Sequence, residues 1–212
     1  NFIIMNMIKT GTEELDNFLE NYNGLTVLYG EGGSGKTTLC LLAAIEQALN
    51  NKKVLFLDTE INFSTERFDQ ILKDRNKECV KNILVLKIKN FNLQHTQIKT
   101  LEGIKNISLI IVDSITHHYR RLYSREPEIA RAMLGKQLSI LKEISKTIPV
   151  IITSQVYSNM ENSSNLLARE TIKKYSDKII KLEKNPRNMI IENTKKTTGF
   201  EIVGDGIKIS SS

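Results

Sequence analysis

The sequence predicts an α/β fold: a mostly parallel central sheet with helices on both faces and a short antiparallel C-terminal extension. Three observations carry this expectation. Apolar runs recur at residues 25–29, 53–57, 83–88, 109–112 and 150–153. Stretches with helical spacing of apolar residues separate them. A glycine-rich turn, Gly30-Glu31-Gly32-Gly33-Ser34-Gly35, joins the first apolar run to the first helical stretch.

The five runs are almost continuously apolar, as strands covered on both faces are. Residues 36–50 follow the turn as a helix. Residues 128–146 form another, with Ile129, Met133, Leu134, Leu138, Leu141 and Ile144 at helical spacing. Ser64 is a good N-cap for a helix beginning Thr65-Glu66. Residues 157–166 are polar and rich in Ser and Asn, which predicts a loop. A short helix follows at about 168–175. Residues 178–184, 187–192 and 200–203 read as short strands, suited to antiparallel addition at one sheet edge. The end, Ser210-Ser211-Ser212, is expected to fray.

The three prolines, Pro127, Pro149 and Pro186, mark no linker, and no repeat is visible. One domain over residues 1–212 is expected, with 1–7 as a possible tail. The chain of 212 residues, 40% hydrophobic and 25% charged, is long enough for a sizeable core. No apolar run approaches the ~20 residues of a membrane span. The apolar N-terminus lacks the basic region and cleavage site of a signal peptide. A cytoplasmic protein without membrane attachment is expected. Cys40 and Cys79 have no spacing pattern, so neither disulfide nor metal site is predicted, and Cys40 reads as a buried small hydrophobe. A net charge of +6 and a pI of about 9.2 permit nucleic-acid contact but equally fit a Lys-rich composition.

Gly30-Glu31-Gly32-Gly33-Ser34-Gly35-Lys36-Thr37 fits the P-loop pattern G-x-x-x-x-G-K-T between a predicted strand and a predicted helix. Such a loop turns backbone amides toward phosphate oxygens, and the helix adds its positive end. Lys36 would reach the β- and γ-phosphates and Thr37 would ligate Mg2+, with ATP the expected nucleotide. Asp113 ends the fourth strand, where a carboxylate can hold the magnesium. Glu60 ends the second strand and could activate water; the alternative is a solvated acid before the next helix. Gln155 ends the fifth strand and could sense a γ-phosphate; the alternative is a surface amide. The segment His117-His118-Tyr119-Arg120-Arg121-Leu122-Tyr123-Ser124-Arg125 interleaves arginines with aromatics, which suits phosphate contact and base stacking or, equally, a solvated basic loop. The His pair has no partners for a metal.

In this order, the motifs resemble the RecA/RadA recombinase superfamily, with the nearest likeness among archaeal paralogues of RadA. Four stretches carry the resemblance. They are the P-loop with Thr37-Thr38-Leu39; Asp58-Thr59-Glu60 with Phe63 and Glu66-Arg67; Val112-Asp113-Ser114-Ile115-Thr116 with His118-Tyr119-Arg120; and Ile152-Thr153-Ser154-Gln155-Val156. The resemblance implies a RecA-like ATPase core binding ATP and Mg2+ through the P-loop and Thr38. It implies Glu60 as catalytic glutamate, Arg67 against adenine, and Gln155 as phosphate-sensing amide. Arg120, Arg121 and Arg125 fall where the family carries its first DNA-binding loop, and 157–166 where it carries the second. Departures are Ile61 in place of a glycine, a first loop reading Ser124-Arg125-Glu126-Pro127-Glu128 without Gly-Arg-Gly, and a second loop without basic residues before Arg169. A helix-hairpin-helix domain and a Phe-x-x-Ala motif are not found ahead of the core. The implied function is an accessory of DNA repair and homologous recombination. It would bind ATP and single-stranded or branched DNA, hydrolyse ATP weakly, and modulate the RadA recombinase and a Holliday-junction resolvase. A DNA-stimulated ATPase or strand-exchange recombinase is the alternative, since Lys36, Glu60, Asp113 and Gln155 are all present. A KaiC-like signalling ATPase is a third, against which the single glutamate after Asp58-Thr59 counts.

Overall fold

The computed structural model describes residues 8–20, 24–158 and 164–210. The elements in chain order are α1 (Glu13–Leu19), β1 (Leu25–Gly30), α2 (Lys36–Leu49), β2 (Val54–Asp58), α3 (Thr65–Leu72), a 3-10 helix (Lys77–Asn82) and β3 (Ile83–Lys87). Next come α4 (Phe91–Thr100), β4 (Leu109–Asp113), α5 (His117–Tyr123), α6 (Pro127–Ile144), β5 (Val150–Ser154), β6 (Val156–Ser158) and β7 (Ser164–Leu166). The chain continues with α7 (Arg169–Tyr175), β8 (Lys178–Leu182), β9 (Asn188–Ile191), β10 (Lys196–Val203) and β11 (Gly206–Ile209).

Among the described residues nine strands form one sheet, in the order β11-β10-β9-β8-β1-β5-β4-β2-β3. From β8 to β3 all neighbours are parallel, and β9 to β11 continue antiparallel. The predicted α/β architecture with an antiparallel C-terminal part is therefore observed. Residues alternate between faces along each strand. Leu28, Phe56, Ile111 and Ile151 join α2 and α3 in one core. Val27, Leu57, Val112 and Ile152 join α4, α5, α6 and α7 in the other. Each such buried apolar side chain contributes about 1.5–3 kcal/mol. Both cysteines are free and buried, and burial pushes the Cys40 thiol well up.

Several expectations are corrected. β8 is not an antiparallel addition: it pairs parallel with β1, Gly30 opposite Leu182. β10 begins at Lys196 rather than at residue 200, and β11 was not anticipated. Residues 157–166 are not simply a loop. β6 and β7 pair antiparallel there, and 159–163 lie outside the described residues, as do 1–7 and 211–212. The segment carrying Arg120 and Arg121 is helical, as α5, rather than a loop. β3 is an edge strand whose Leu84 and Leu86 stay 46% and 37% exposed, so its apolar run is covered on one face only. α4 has a weak apolar pattern because its buried positions include Gln94, which donates to the Ile115 carbonyl (3.0 Å) and to Gln137 Oε1 (2.7 Å).

Gly30 ends β1 at φ 156°, and a Cβ there would lie 2.2 Å from the Leu182 carbonyl oxygen. That oxygen is backbone of the paired strand, so relieving the contact requires the ends of β1 and β8 to shift apart. Gly30→Ala is expected to destabilise the protein by about 2 kcal/mol or more in urea unfolding. A loss below about 0.5 kcal/mol would show that the strand ends move apart freely.

Candidate functional site

All strands from β1 to β5 run parallel, so their carboxyl ends share one edge of the sheet. That edge gathers the sequence-predicted residues. Gly30 to Thr37 connect β1 to α2, with Gly33 at φ 74° and Gly35 at φ 106°, conformations that favour glycine. Lys36 Nζ donates to the carbonyls of Gly30 and Glu31, both at 2.8 Å. Thr37 Oγ1 donates to Asp113 Oδ2 at 2.7 Å, across 76 residues of sequence. Thr153 donates to the other oxygen, Asp113 Oδ1. Thr38 is buried beside them, and Ser34 Oγ is buried without a hydrogen-bond partner.

Burial pushes the Asp113 carboxyl above its usual range, against the Thr153 and Thr37 hydrogen bonds that pull it down. Burial likewise lowers Lys36, although Asp113 and Glu60 oppose the shift. Thr37 and Asp113 offer hard oxygen donors, and among the described residues no group of three or more His, Cys, Asp or Glu could hold a metal. That donor set fits Mg2+, which takes one or two protein oxygens and completes its shell from phosphates and water. The unpartnered Ser34 hydroxyl and the positive-φ glycines fit a phosphate in the loop.

Glu60 follows β2. Its Oε1 accepts from Gln155 Nε2 (2.8 Å) and from Ser114 Oγ (3.1 Å), with His117 Nδ1 3.9 Å away. Gln155 Oε1 in turn accepts from Arg120 Nη1 at 2.8 Å. A continuous chain therefore runs from Glu60 through Gln155 to α5. Arg120, Arg121 and Arg125 are all exposed. Arg120 and Arg121 line a cavity of about 240 Å³ with His117, His118 and Gln155. Arg121 and Arg125 line a second, of about 210 Å³, with Lys89 and His118. Arg67 is not beside these groups. It donates to the carbonyls of Val203 (2.9 Å) and Gly204 (3.0 Å) in the β10–β11 turn, and Ile202 next to that turn packs against Gly35. Ser64 caps α3 as expected, accepting from the Arg67 amide at 3.0 Å.

Several residues that hold the site together carried no individual assignment in the sequence. Thr59 Oγ1 donates to the Ser114 carbonyl and accepts from the Ser114 amide, both at 2.7 Å, and so ties the ends of β2 and β4. Thr116 accepts from the Gln155 amide at 3.1 Å and ties α5 to β5. Asp58 accepts from the amides of Asn62 and Phe63, which shapes the turn bearing Glu60. The signal was a cluster of hydroxyl residues just past the ends of β2 and β4. Ile61, where the family has glycine, sits at φ 53°, a left-handed conformation costly for a β-branched residue.

A family model described as Rad51 matches residues 3–202. The chain is 34% identical over 199 residues to the DNA repair and recombination protein RadB of Methanococcoides burtonii, covering 87% of this chain and 88% of the relative. To the protein of the same name from Thermococcus kodakarensis it is 34% identical over 192 residues, 85% of each chain. The RadB protein of Methanococcus maripaludis strain C5 is 31% identical over 209 residues, 93% of this chain and 96% of that one. A crystal structure of the RadB recombinase superposes with a TM-score of 0.77 at 31% identity, covering 97% of this chain and all of that one.

The raised Asp113 carboxyl makes a prediction about the ligand-free protein. A carboxyl that binds its proton more tightly folded than unfolded favours folding at low pH, and that contribution is lost as pH rises through the folded value. Asp113→Asn removes the buried charge with little change of shape. It is expected to raise the melting temperature at about pH 8, and by progressively less as pH falls through the folded value of the wild-type carboxyl. Equal destabilisation across that range, by calorimetry, would mean that the charged form is well accommodated.

Proposed function

This chain belongs to the RadB DNA repair and recombination proteins of the Rad51 family, and we propose that it is an ATP-binding, DNA-binding accessory of homologous recombination with weak ATPase activity. Its described core is read as one RecA-like domain. The observation that carries the reading is the hydrogen-bond chain Glu60–Gln155–Arg120, which joins the predicted water-activating carboxylate to an arginine-bearing helix.

In this reading the amides of Gly30, Glu31, Gly32, Gly33, Ser34 and Gly35 cradle the phosphates of ATP, with Thr38 behind them. Lys36 leaves the Gly30 and Glu31 carbonyls to reach the outer phosphates. Thr37 and Asp113 hold Mg2+, which when bound offsets phosphate charge. Glu60 accepts the proton of the attacking water, and Gln155 reports the γ-phosphate. Arg67, anchored on the β10–β11 turn, offers its guanidinium face to adenine. Arg120, Arg121 and Arg125 contact DNA phosphates along the two basic cavities. Both Ser114 and Gln155 donate to Glu60 Oε1, which supports slow rather than fast hydrolysis. Modulation of RadA and of a junction resolvase is the partner role that follows for an accessory of this family. Among the described residues no helix is long and apolar enough to cross a membrane.

A competent DNA-stimulated ATPase is the second reading, favoured by the convergence of Glu60 and Gln155. Turnover with and without single-stranded DNA separates the two. Slow turnover, little changed by DNA, supports the accessory; stimulation of about a hundredfold or more supports the motor. Lys36→Ala is expected to abolish ATP binding, and Glu60→Gln to keep binding while cutting turnover about 10²-fold or more. Unchanged turnover in Glu60→Gln would remove Glu60 from the chemistry. DNA affinity is expected to fall with salt. Replacing Arg120, Arg121 and Arg125 together by Ala should reduce the log–log slope by about 2 on a single strand. Binding that ignores salt would sink the DNA part.

A further inference from the structure

Because β8 runs parallel to β1 with Leu182 opposite Gly30, the residues after Leu182 emerge beside the P-loop. This β8–β9 turn, residues 183–187, brings two cations to Gly33. Arg187 Nη1 donates to the Gly33 carbonyl at 3.1 Å. Lys184 Nζ and Cε lie 3.8 and 3.9 Å from where a Cβ on Gly33 would stand. Gly33 is the fourth residue of the loop, among the amides that turn toward phosphate oxygens.

The turn's remaining charge is already neutralised. Glu183 accepts from Lys181 Nζ at 2.8 Å and from Asn188 Nδ2 at 3.3 Å, and the Lys181 bond holds its carboxyl below the usual range. Among the described residues Lys184 has no hydrogen bond and no ion pair, and it is exposed. Arg187 is held by the loop backbone and fixes the turn; Lys184 is an uncommitted ammonium at the rim. A lysine stem swings over several ångströms, so its ammonium reaches the mouth of the cradle without backbone movement. Lys36, by contrast, is engaged with carbonyls at the start of the loop.

We propose that Lys184 is a second phosphate-binding lysine of this site, positioned by Arg187 and acting within the same chain on the outer phosphates of a bound nucleoside triphosphate. This rests on the P-loop binding ATP as proposed above. ATP brings one more negative charge than ADP, so a rim cation favours the triphosphate and helps the site to distinguish the two.

The test is equilibrium titration of the full chain with Mg-ATP and Mg-ADP for wild type, Lys184→Met, Lys184→Arg and Lys36→Ala. Lys184→Met keeps the stem and removes the charge. It is expected to weaken ATP about tenfold and ADP by less, leaving the ligand-free melting temperature unmoved. Lys184→Arg should hold ATP to within about threefold of wild type. If Lys184→Met binds both nucleotides within about twofold of wild type, the assignment is overturned while the P-loop reading stands. Equal loss for ATP and ADP with a lowered melting temperature gives Lys184 a structural role and overturns it too. Wild type that fails to bind ATP, or Lys36→Ala that binds as well as wild type, overturns the P-loop reading and this inference with it.

Discussion

The site depends on the parallel register of β1, β5, β4 and β2. Asp58 lies opposite Asp113, and Tyr29 opposite Ser154, so the ends of all four strands meet at one edge of the sheet. Parallel pairing alone brings strand ends together; hydroxyl side chains then fix the turns beyond them. Thr59 bonds both ways with the Ser114 backbone, Thr116 holds the Gln155 amide, and Thr153 holds Asp113. Contacts between residues 95 apart, such as Gln155 with Glu60, become local once the sheet forms. The closure entropy of such long loops grows only slowly with length, and the buried strands supply the compensating free energy.

That convergence creates an electrostatic conflict. Asp113 is 3% exposed, and burial outweighs its two hydroxyl donors in setting its proton affinity. Lys36 is shifted in the opposite sense for the same reason. Each therefore sits in the fold at some cost in its charged form. A divalent cation at Asp113 and polyphosphate at Lys36 would relieve both together, because each supplies the opposite charge in a place water has left. Such a site binds its ligand partly by removing strain that the sheet imposes, and it gains stability from the ligand by mass action.

The central sheet was legible because its strands are buried on both faces and so are continuously apolar. Elements that break that rule were harder to read. β3 looked like its neighbours, yet it is an edge strand. β8, at residues 178–182, alternates Lys178 and Lys181 with Ile179, Ile180 and Leu182, which resembles an edge strand although β1 and β9 flank it. α4 was missed because its buried Gln94 donates to Gln137 in the core, a contact no periodicity reveals. The P-loop, Asp113, Glu60 and Gln155 were visible as strand-end residues, since strand ends are where α/β sheets keep their ligand sites. Thr59, Ser114 and Thr116 were not singled out, because one sequence does not distinguish a strand-end hydroxyl that bonds to backbone from one that faces solvent. The β8–β9 turn escaped notice for a topological reason. Only the parallel pairing of β8 with β1 carries residues 183–187 to the P-loop; the antiparallel arrangement that was expected would have left them at the opposite end of the strand.

The chain from Glu60 to Arg120 also constrains how the proposed nucleotide and DNA sites could influence one another. Gln155 is a single amide with two ends: its nitrogen donates to Glu60 and its oxygen accepts from Arg120. A γ-phosphate that recruits the amide nitrogen must release Glu60, and the reorientation weakens the hold on Arg120. Conversely, a DNA phosphate that pairs with Arg120 frees the Gln155 oxygen and loosens the amide from Glu60. The two events share one rotamer, so each lowers the cost of the other. Linkage would then require reciprocity in binding free energy: if bound ATP strengthened DNA binding, DNA would strengthen ATP binding by the same factor. Hydrolysis is not bound by that symmetry, because reciprocity governs binding free energies and not rates; release of Glu60 by Gln155 would leave Ser114 Oγ donating to the same oxygen. An amide that couples the two sites in binding while a second donor stays on the carboxylate is the behaviour expected of a switch rather than of a motor.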